Sequence, residues 1–165
     1  MLIIKKRQLR SDSDYLANYY ELLVKEYLEK KGYTLRLNVD FLKNKVHSDI
    51  DVLAVNTLLK KVIVGEVKAD PLSKKQIDHE NSDFNDTNLV NKVKEIIGST
   101  TNFSKFIYCW SVQDNVKKDA LTKYKINIIQ FWEIINSLID EVEKLNQKKS
   151  MFVILHNPTL CYFKC

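Results

Sequence analysis

Hydrophobic and polar positions follow two different periods along the chain. Residues 12–31 place apolar side chains at helical spacing, which predicts a long helix. Runs typical of strands follow at residues 33–39, 47–55 and 60–68. The short connection NTLLK joins the last two strands, so we expect them to form an antiparallel hairpin.

The second half of the chain alternates between helical and strand patterns. Residues 70–86 are polar, and we expect an irregular connection there with room for a short helix. The elements expected after it are a helix at 87–97, a strand at 103–112, a short helix at 114–124, a strand at 126–131, a helix at 132–145 and a hairpin within 151–163. This order predicts an α/β fold with a central mixed β-sheet flanked by helices.

Length and composition indicate one ordinary globular domain. The chain has 165 residues, 45% of them hydrophobic and 28% charged, and only three glycines and two prolines. These values exclude collagen-like and low-complexity classes. No apolar run reaches the roughly 18 residues that span a bilayer, and the first residues, MLIIKKRQLR, do not resemble a secretory signal. We expect no membrane partner and a cytoplasmic location, in the host cytoplasm if the source is viral.

Charge and cysteine content narrow the range of partners only slightly. The net charge of +5 and the pI near 9.0 weakly favour a polyanionic partner, but charge alone is about equally consistent with an ordinary lysine-rich surface. Cys109, Cys161 and Cys165 include no CxxC pair, which argues against a disulfide framework or a zinc site. We expect Cys109, within FIYCW, to be a core thiol.

The stretch VIVGEVKAD, residues 62–70, introduces charge into an apolar strand. Side chains alternate between the two faces of a strand, so Glu66 and Lys68 share a face with Val62 and Val64. Two ionisable groups in that position indicate a cleft at the strand end. The alternative is an exposed ion pair, which would contribute little to stability.

More carboxylates lie across the expected hairpin. If the turn is centred between the two leucines of NTLLK, Asp51 pairs with Glu66. Asp49 then pairs with Lys68, and a register shift of two residues would exchange the partners. In either register, carboxylates of two strands converge within about 5 Å. They repel each other when ionised, and a divalent cation such as Mg²⁺ or Mn²⁺ relieves that repulsion.

The pattern D-x14-E-x-K formed by Asp51, Glu66 and Lys68 resembles the PD-(D/E)xK nuclease superfamily. Glu21, within YYELLVKEYLEKKGY, is similar to the helix glutamate of the Holliday-junction-resolvase and Mrr-like branches. The position before Asp51 holds Ile50 instead of the proline of the motif name. The resemblance covers about residues 12–112.

This resemblance implies a restriction-endonuclease-like fold in a single nuclease domain, residues 1–165. Its α-β-β-β-α-β core would lie within about residues 12–131, with C-terminal additions at 132–165. The implied activity is a Mg²⁺-dependent deoxyribonuclease, with Mn²⁺ as a substitute, that hydrolyses DNA phosphodiester bonds as an endonuclease. We expect a homodimer, because cutting both strands of a duplex takes two active sites.

The resemblance also assigns roles to individual residues. Asp51, Glu66 and Glu21 would be metal ligands, and Lys68 would be the catalytic lysine. Asp49 could merely flank the site. Glu21 could instead be a surface residue one helical turn from Lys25.

Several further residues are open to two interpretations. Lys74, Lys75 and Gln76 follow the motif and could hold DNA phosphates or simply be solvated. His47 could contact a metal-bound water or a phosphate, or face solvent. An aromatic helix face is more often core than a base-stacking platform, and its members here are Tyr15, Tyr19, Tyr20 and Tyr27.

Two other functions remain open at the level of the sequence. A non-catalytic nucleic-acid-binding module on the same fold would bind DNA without Mg²⁺-dependent cleavage. A small α/β interaction protein with an incidental acidic hairpin would show no salt-dependent affinity for DNA.

Overall fold

A computed structural model describes residues 12–43, 46–98 and 102–147, with side chains from Tyr19 to Lys144 within these ranges. The expected hairpin at 151–163 lies outside the described residues, as do Cys161, Cys165 and the side chain of Tyr15. Among the described residues, no helix is both long and apolar enough to cross a membrane.

The described elements begin with a long helix and a three-stranded meander, as the sequence predicts. In chain order they are α1 (Asp12–Lys30), β1 (Thr34–Lys43), β2 (Val46–Asn56), β3 (Lys61–Lys68), α2 (Lys74–Phe84), α3 (Thr87–Ile97), β4 (Ser104–Cys109), α4 (Asp114–Asp119), one π-helical turn (Ala120–Tyr124), β5 (Ile126–Gln130) and α5 (Phe131–Gln147). The helix α2 is the element that the sequence pattern did not define.

The strands form one five-stranded sheet in the order β1-β2-β3-β4-β5. β1, β2 and β3 are antiparallel neighbours, whereas β4 and β5 run parallel to β3. This confirms the predicted α/β class, a mixed sheet flanked by helices. The carboxyl ends of β3, β4 and β5 meet at one edge, where Lys68, Cys109 and Gln130 lie in one row across the sheet.

Two apolar layers enclose the sheet, because each helix buries its apolar stripe against one face. The α1/α5 layer consists mainly of Leu23, Val24, Leu28, Phe131, Ile134 and Leu138 against Val52, Ala54, Ile63 and Tyr108. The α2/α3 layer consists mainly of Ile77, Phe84, Leu89 and Val93 against Leu53, Val62, Val64 and Ile107. Cys109 is a buried free thiol in the second layer, as predicted, and burial raises its pKa to about 11.

The expected irregular connection at 70–86 is largely the helix α2. Ser73 caps this helix through a capping box in which its hydroxyl accepts from the Gln76 N–H and the Gln76 side chain accepts from the Ser73 N–H. The inner face of α2 carries Glu80 and Asp83 together with Ile77 and Phe84. Because charged side chains interrupt its apolar stripe, the helical period is not visible in the sequence.

β1 and β2 cross from one layer to the other at a single place. Leu35 and Leu37 pack in the α1/α5 layer, yet Val39, two residues further on, packs in the α2/α3 layer. Asn38 lies between them with a positive φ of 52°, a conformation that non-glycine residues seldom adopt. β2 makes the matching switch between Ile50 and Val52, so Asp51 stands at the crossing point.

Candidate metal-binding site at the end of β3

Glu66 and Lys68 lie at the carboxyl end of β3 and form an ion pair. The Lys68 Nζ is 2.9 Å from Glu66 Oε2, and the Glu66 residue is only 6% exposed. Val62 and Val64 on the same side of β3 belong to the α2/α3 layer. The expected shared face is therefore present, and the pair is buried too deeply to be the exposed ion pair considered as the alternative.

Asp51 reaches the same place because the β2–β3 ladder opens beside it. The observed register pairs Val52 with Gly65, so the turn is centred between the two leucines of NTLLK as assumed. The ladder ends at that pair, and the Val67 N–H donates instead to Asp51 Oδ2 at 2.6 Å. The Asp51 and Glu66 carboxyls are also close enough to affect each other's pKa. The two predicted acidic groups thus converge.

Gly65 allows β3 and β4 to approach closely just before the acidic pair. A Cβ atom at this position would lie 2.9 Å from Cε2 of Tyr108, closer than real Cβ contacts. Tyr108 is fully buried in the α1/α5 layer and cannot easily move aside. A side chain at position 65 would therefore displace the strand segment that presents Glu66.

Asp49 does not take the place that the hairpin arithmetic assigns to it. It is exposed and pairs with Asp40 of β1, and it has no partner on β3 because the β2–β3 ladder begins only at Val52. The predicted pairing of Asp49 with Lys68 is therefore wrong, and the carboxylates that contact Lys68 are others.

Glu80 of α2 is the second partner of Lys68, and the sequence did not indicate it. Its Oε1 lies 3.1 Å from the Lys68 Nζ, and the residue is 6% exposed. Glu80 lies on the buried face of α2, three residues after Ile77. The sequence offers one signal for a buried Glu80. If residues 74–84 are assumed to be helical, Ile77, Glu80 and Phe84 lie on one face of the helix.

Burial, more than any neighbouring charge, suppresses the ionisation of the Glu66 and Asp51 carboxyls. Burial raises the pKa of Glu66 well above its usual range, and the Asp51 and Glu80 carboxylates add to this, while the Lys68 ammonium opposes it. Burial also raises the pKa of Asp51, against the Val67 N–H and Lys68. Burial alone would lower the pKa of Lys68, but the neighbouring carboxylates, Glu66 above all, raise it overall, so Lys68 stays charged.

This donor set fits a hard divalent cation. Three carboxyls, from Asp51, Glu66 and Glu80, share one ammonium group, so full ionisation leaves the cluster short of positive charge. A cation held by Asp51 and Glu66 would supply that charge, and carboxylate oxygens are the ligands that Mg²⁺ and Mn²⁺ prefer.

A neighbouring group on α2 has ligand atoms within 4.8 Å of one another, contributed by His79, Glu80 and Asp83. Lys68 already contacts Glu80, and the ammonium of Lys43 contacts Asp83. These lysines supply positive charge to both carboxylates. Lys68 also pairs with Glu66, but among the described residues no lysine forms an ion pair with Asp51, so the Asp51–Glu66 pair includes a carboxylate that a cation could neutralise.

Glu21 approaches from the α1 side of the sheet. Its Oε2 accepts a hydrogen bond from Asn38 Nδ2 at 3.4 Å. Asn38 lies between the Leu37–Val52 and Val39–Ile50 pairs, so it faces Asp51 across the ladder. The helix glutamate is thus directed toward the strand position that carries Asp51.

The residues expected to contact DNA lie in different places. Lys74 and Lys75 are exposed on the first turn of α2, while the side chain of Gln76 is engaged in the capping box. His47 is exposed and pairs with Leu42 in the β1–β2 ladder, in a groove that α3 borders through Asn88. His47 therefore lies beside α3, whereas Lys74 and Lys75 lie on α2, the helix that carries Glu80.

Comparison with known proteins supports the fold and nothing finer. No protein-family model matches the chain, and no curated protein matches its sequence. The solved structure of AF1548, a protein of unknown function, matches with a TM-score of 0.51 and 19% identity, over 73% of this chain and 66% of that one. VC1899 from Vibrio cholerae matches with a TM-score of 0.51 and 13% identity, over 81% of this chain and 34% of that one.

A complex of EndoMS with double-stranded DNA matches with a TM-score of 0.48 and 12% identity, over 76% of this chain and 47% of that one. At this TM-score the likeness carries no inference about the present chain. The chain covers only part of the length of each of these three proteins. The likeness to AF1548 and VC1899 shows a shared α/β fold.

Proposed function

We propose that the chain is a divalent-metal-dependent nuclease of the restriction-endonuclease-like class that hydrolyses phosphodiester bonds in DNA as an endonuclease. The observation that carries the proposal is the convergence of Asp51 and Glu66 at the open end of the β2–β3 ladder, with the Lys68 ammonium 2.9 Å from Glu66. Two carboxylates and a lysine in this arrangement are suited to a metal ion and an anionic phosphate together.

Each residue has a distinct role in this proposal. Asp51 and Glu66 would hold Mg²⁺, with Mn²⁺ as a substitute, and Glu21 would contribute as an auxiliary ligand. When bound, the metal supplies Lewis-acid chemistry and a more acidic water. Lys68 remains charged and can stabilise negative charge that develops on the phosphate. Glu80 acts through Lys68 by holding its ammonium in place.

DNA would approach over the surface beside α2. Lys74 and Lys75 are exposed on its first turn and can neutralise phosphates without reading sequence. The net charge of +5 agrees with such a partner. A homodimer would supply the second active site that cutting both strands of a duplex takes.

The test is cleavage of supercoiled, linear, junction and single-stranded DNA by the full chain, with and without Mg²⁺ or Mn²⁺. Glu66→Gln and Lys68→Met are each expected to lower the cleavage rate by about 100-fold or more. Glu29→Gln and Lys25→Met form the matched control, because this pair is largely exposed and joined over 3.9 Å. Cleavage that survives both site substitutions would exclude this site as the source of the activity.

A non-catalytic nucleic-acid-binding module is the second candidate. The double pairing of Lys68 with Glu66 and Glu80 favours it, because buried ion pairs of this kind also occur with a purely structural role. This alternative predicts salt-dependent DNA binding and no cleavage with either metal.

A further inference from the structure

The ammonium of Lys68 lies between two buried carboxylates that belong to different elements. Its Nζ is 2.9 Å from Oε2 of Glu66 on β3 and 3.1 Å from Oε1 of Glu80 on α2. Both glutamates are only 6% exposed, whereas the Lys68 side chain is 27% exposed. Because the lysine stem is flexible and partly open to solvent, its ammonium can leave one of these partners and keep the other.

One of the two carboxylates is also a ligand of the proposed cation. Glu66 forms the candidate metal-binding pair with Asp51, yet the Lys68 ammonium already supplies positive charge to Glu66. A divalent cation on Glu66 would meet this ammonium at short range, and like charges repel strongly where burial reduces screening. The Lys68–Glu66 ion pair and the binding of a cation therefore oppose each other.

Glu80 is held in place by contacts that do not involve Lys68. Its helix, α2, is joined to β1 by the ion pair between Lys43 and Asp83. The same helix is joined to the π-helical turn by a hydrogen bond that the Tyr124 hydroxyl donates to Asp78. The Glu80 carboxylate thus stays in position if the ammonium leaves β3. Loss of its lysine would leave it as an unpaired buried charge, which is costly.

We propose that Lys68 and the divalent cation compete for Glu66, and that Glu80 is the partner that retains Lys68 when the cation binds. Release of the ammonium from Glu66 frees that carboxylate for the ion, and the contact with Glu80 keeps the ammonium at the site. Glu80 is then a positioning residue that also sets the affinity for metal. This inference rests on the proposed function only for the place of the cation at Asp51 and Glu66.

The test measures Mn²⁺ binding to the full chain by isothermal titration calorimetry, without DNA. Lys68→Met removes the competing charge and is expected to tighten binding by about five-fold or more. Glu80→Gln leaves Lys68 with Glu66 alone and is expected to weaken binding by about five-fold or more. Glu66→Gln is expected to remove binding at this site. Thermal unfolding shows whether each variant is folded.

Asp83→Asn is the matched control for Glu80→Gln. Asp83 is also a buried acidic residue on α2, but it pairs with Lys43 instead of Lys68. We expect this variant to change the affinity for Mn²⁺ by less than about two-fold, because its charge is already neutralised away from Glu66.

The double variant separates an action through Lys68 from a direct action of Glu80 on the metal. If Glu80 acts through Lys68, adding Glu80→Gln to Lys68→Met should change the affinity by less than about two-fold. A direct ligand role for Glu80 would give the same loss with and without Lys68. A crystal structure of the natural chain with Mn²⁺ supplies an independent measurement. Lys68 should then have lost its contact with Glu66 and kept its contact with Glu80.

Four results would overturn the inference. They are unchanged affinity in folded Lys68→Met, an equal loss from Glu80→Gln in both backgrounds, a Lys68–Glu66 contact that persists with Mn²⁺ bound, and Mn²⁺ binding that Glu66→Gln leaves intact. Metal-dependent cleavage that Glu66→Gln abolishes, with an affinity for Mn²⁺ that ignores Lys68 and Glu80, keeps the proposed function and removes this inference. Competition between Lys68 and Mn²⁺ in a protein that cleaves no nucleic acid does the opposite.

Discussion

β3 carries an apolar first half, Val62–Val64, and a charged second half, Glu66–Lys68, on one eight-residue strand. The first half is paired on both sides, with β2 and, from Ile63 onward, with β4. The second half keeps only β4 as a strand partner, and the Asp51 side chain takes the position of the missing backbone acceptor. Charged groups are thus found where the sheet opens, since there a carboxylate can satisfy a free N–H.

This comparison predicts that the two halves respond differently to substitution. Ile63→Ala is expected to lower the free energy of unfolding by about 2–5 kcal/mol, because Ile63 is a buried core side chain. The cleavage rate per folded molecule should be unchanged, as measured beside urea unfolding. Leu58→Ala is the control, since Leu58 at the hairpin tip is 93% exposed. A large loss of cleavage rate in folded Ile63→Ala would contradict the assignment of stability to the apolar half of β3 and of activity to the charged half.

The second prediction concerns the carboxylate that replaces the ladder. Asp51→Ala leaves the Val67 N–H without its acceptor and is expected to be less stable than Asp51→Asn by about 1–3 kcal/mol. Asparagine retains an oxygen for this bond but removes the charge, so both variants should lose cleavage. Thermal unfolding of both variants provides the comparison. Equal stability would show that the bond to Val67 is unimportant.

The third prediction concerns pH in the absence of metal. The raised pKa of Glu66 means that its contribution to stability is fully present below the pKa of an unfolded glutamate, about 4.3, and is lost as pH rises through the folded value. Stability should therefore decline with rising pH above that lower limit, and Glu66→Gln should reduce the slope. Urea unfolding in EDTA at several pH values measures this. An identical slope in both proteins would contradict the pKa shift.

Saturating Mg²⁺ provides the complementary measurement. The ion should raise the stability of the natural sequence at neutral pH, because it neutralises Asp51 and Glu66, but should have much less effect on Glu66→Gln. An equal gain in both proteins would place the ion elsewhere.

The smallest expected effect is at an exposed ion pair. Lys92 and Glu95 lie 3.2 Å apart on α3, close to the 2.9 Å of Lys68 and Glu66, but both are solvent-accessible. Lys92→Met should change the free energy of unfolding by about 0.5 kcal/mol or less. Chemical denaturation with and without added salt measures it. A much larger loss of unfolding free energy would show that exposure does not make the Lys92–Glu95 pair weak.

The sequence could predict the hairpin and the positions of its carboxylates, because both follow from regular strand geometry over a short stretch of chain. Strand alternation assigned Glu66 and Lys68 to one face, and a constant index sum brought Asp51 opposite Glu66. The same arithmetic was wrong for Asp49, because it assumes a regular ladder, whereas β2 pairs with β3 only over Val52–Asn56.

The contribution of α2 could not be predicted in the same way. Glu80 is brought to Lys68 by a turn and a helix whose apolar stripe is interrupted by the very charges that form the site. Its partner is a charge on another element, and no periodicity encodes that pairing. The crossing of the layers at Asn38 could not be predicted from the sequence either, since it depends on one backbone angle.

That crossing has a mechanical consequence for Asp51. Because β1 and β2 change sides at Asn38 and Asp51, the residues flanking this carboxylate are anchored in opposite layers. Packing on both faces of the sheet therefore fixes the backbone on either side of Asp51, and a loss of packing in either layer would displace its carboxylate.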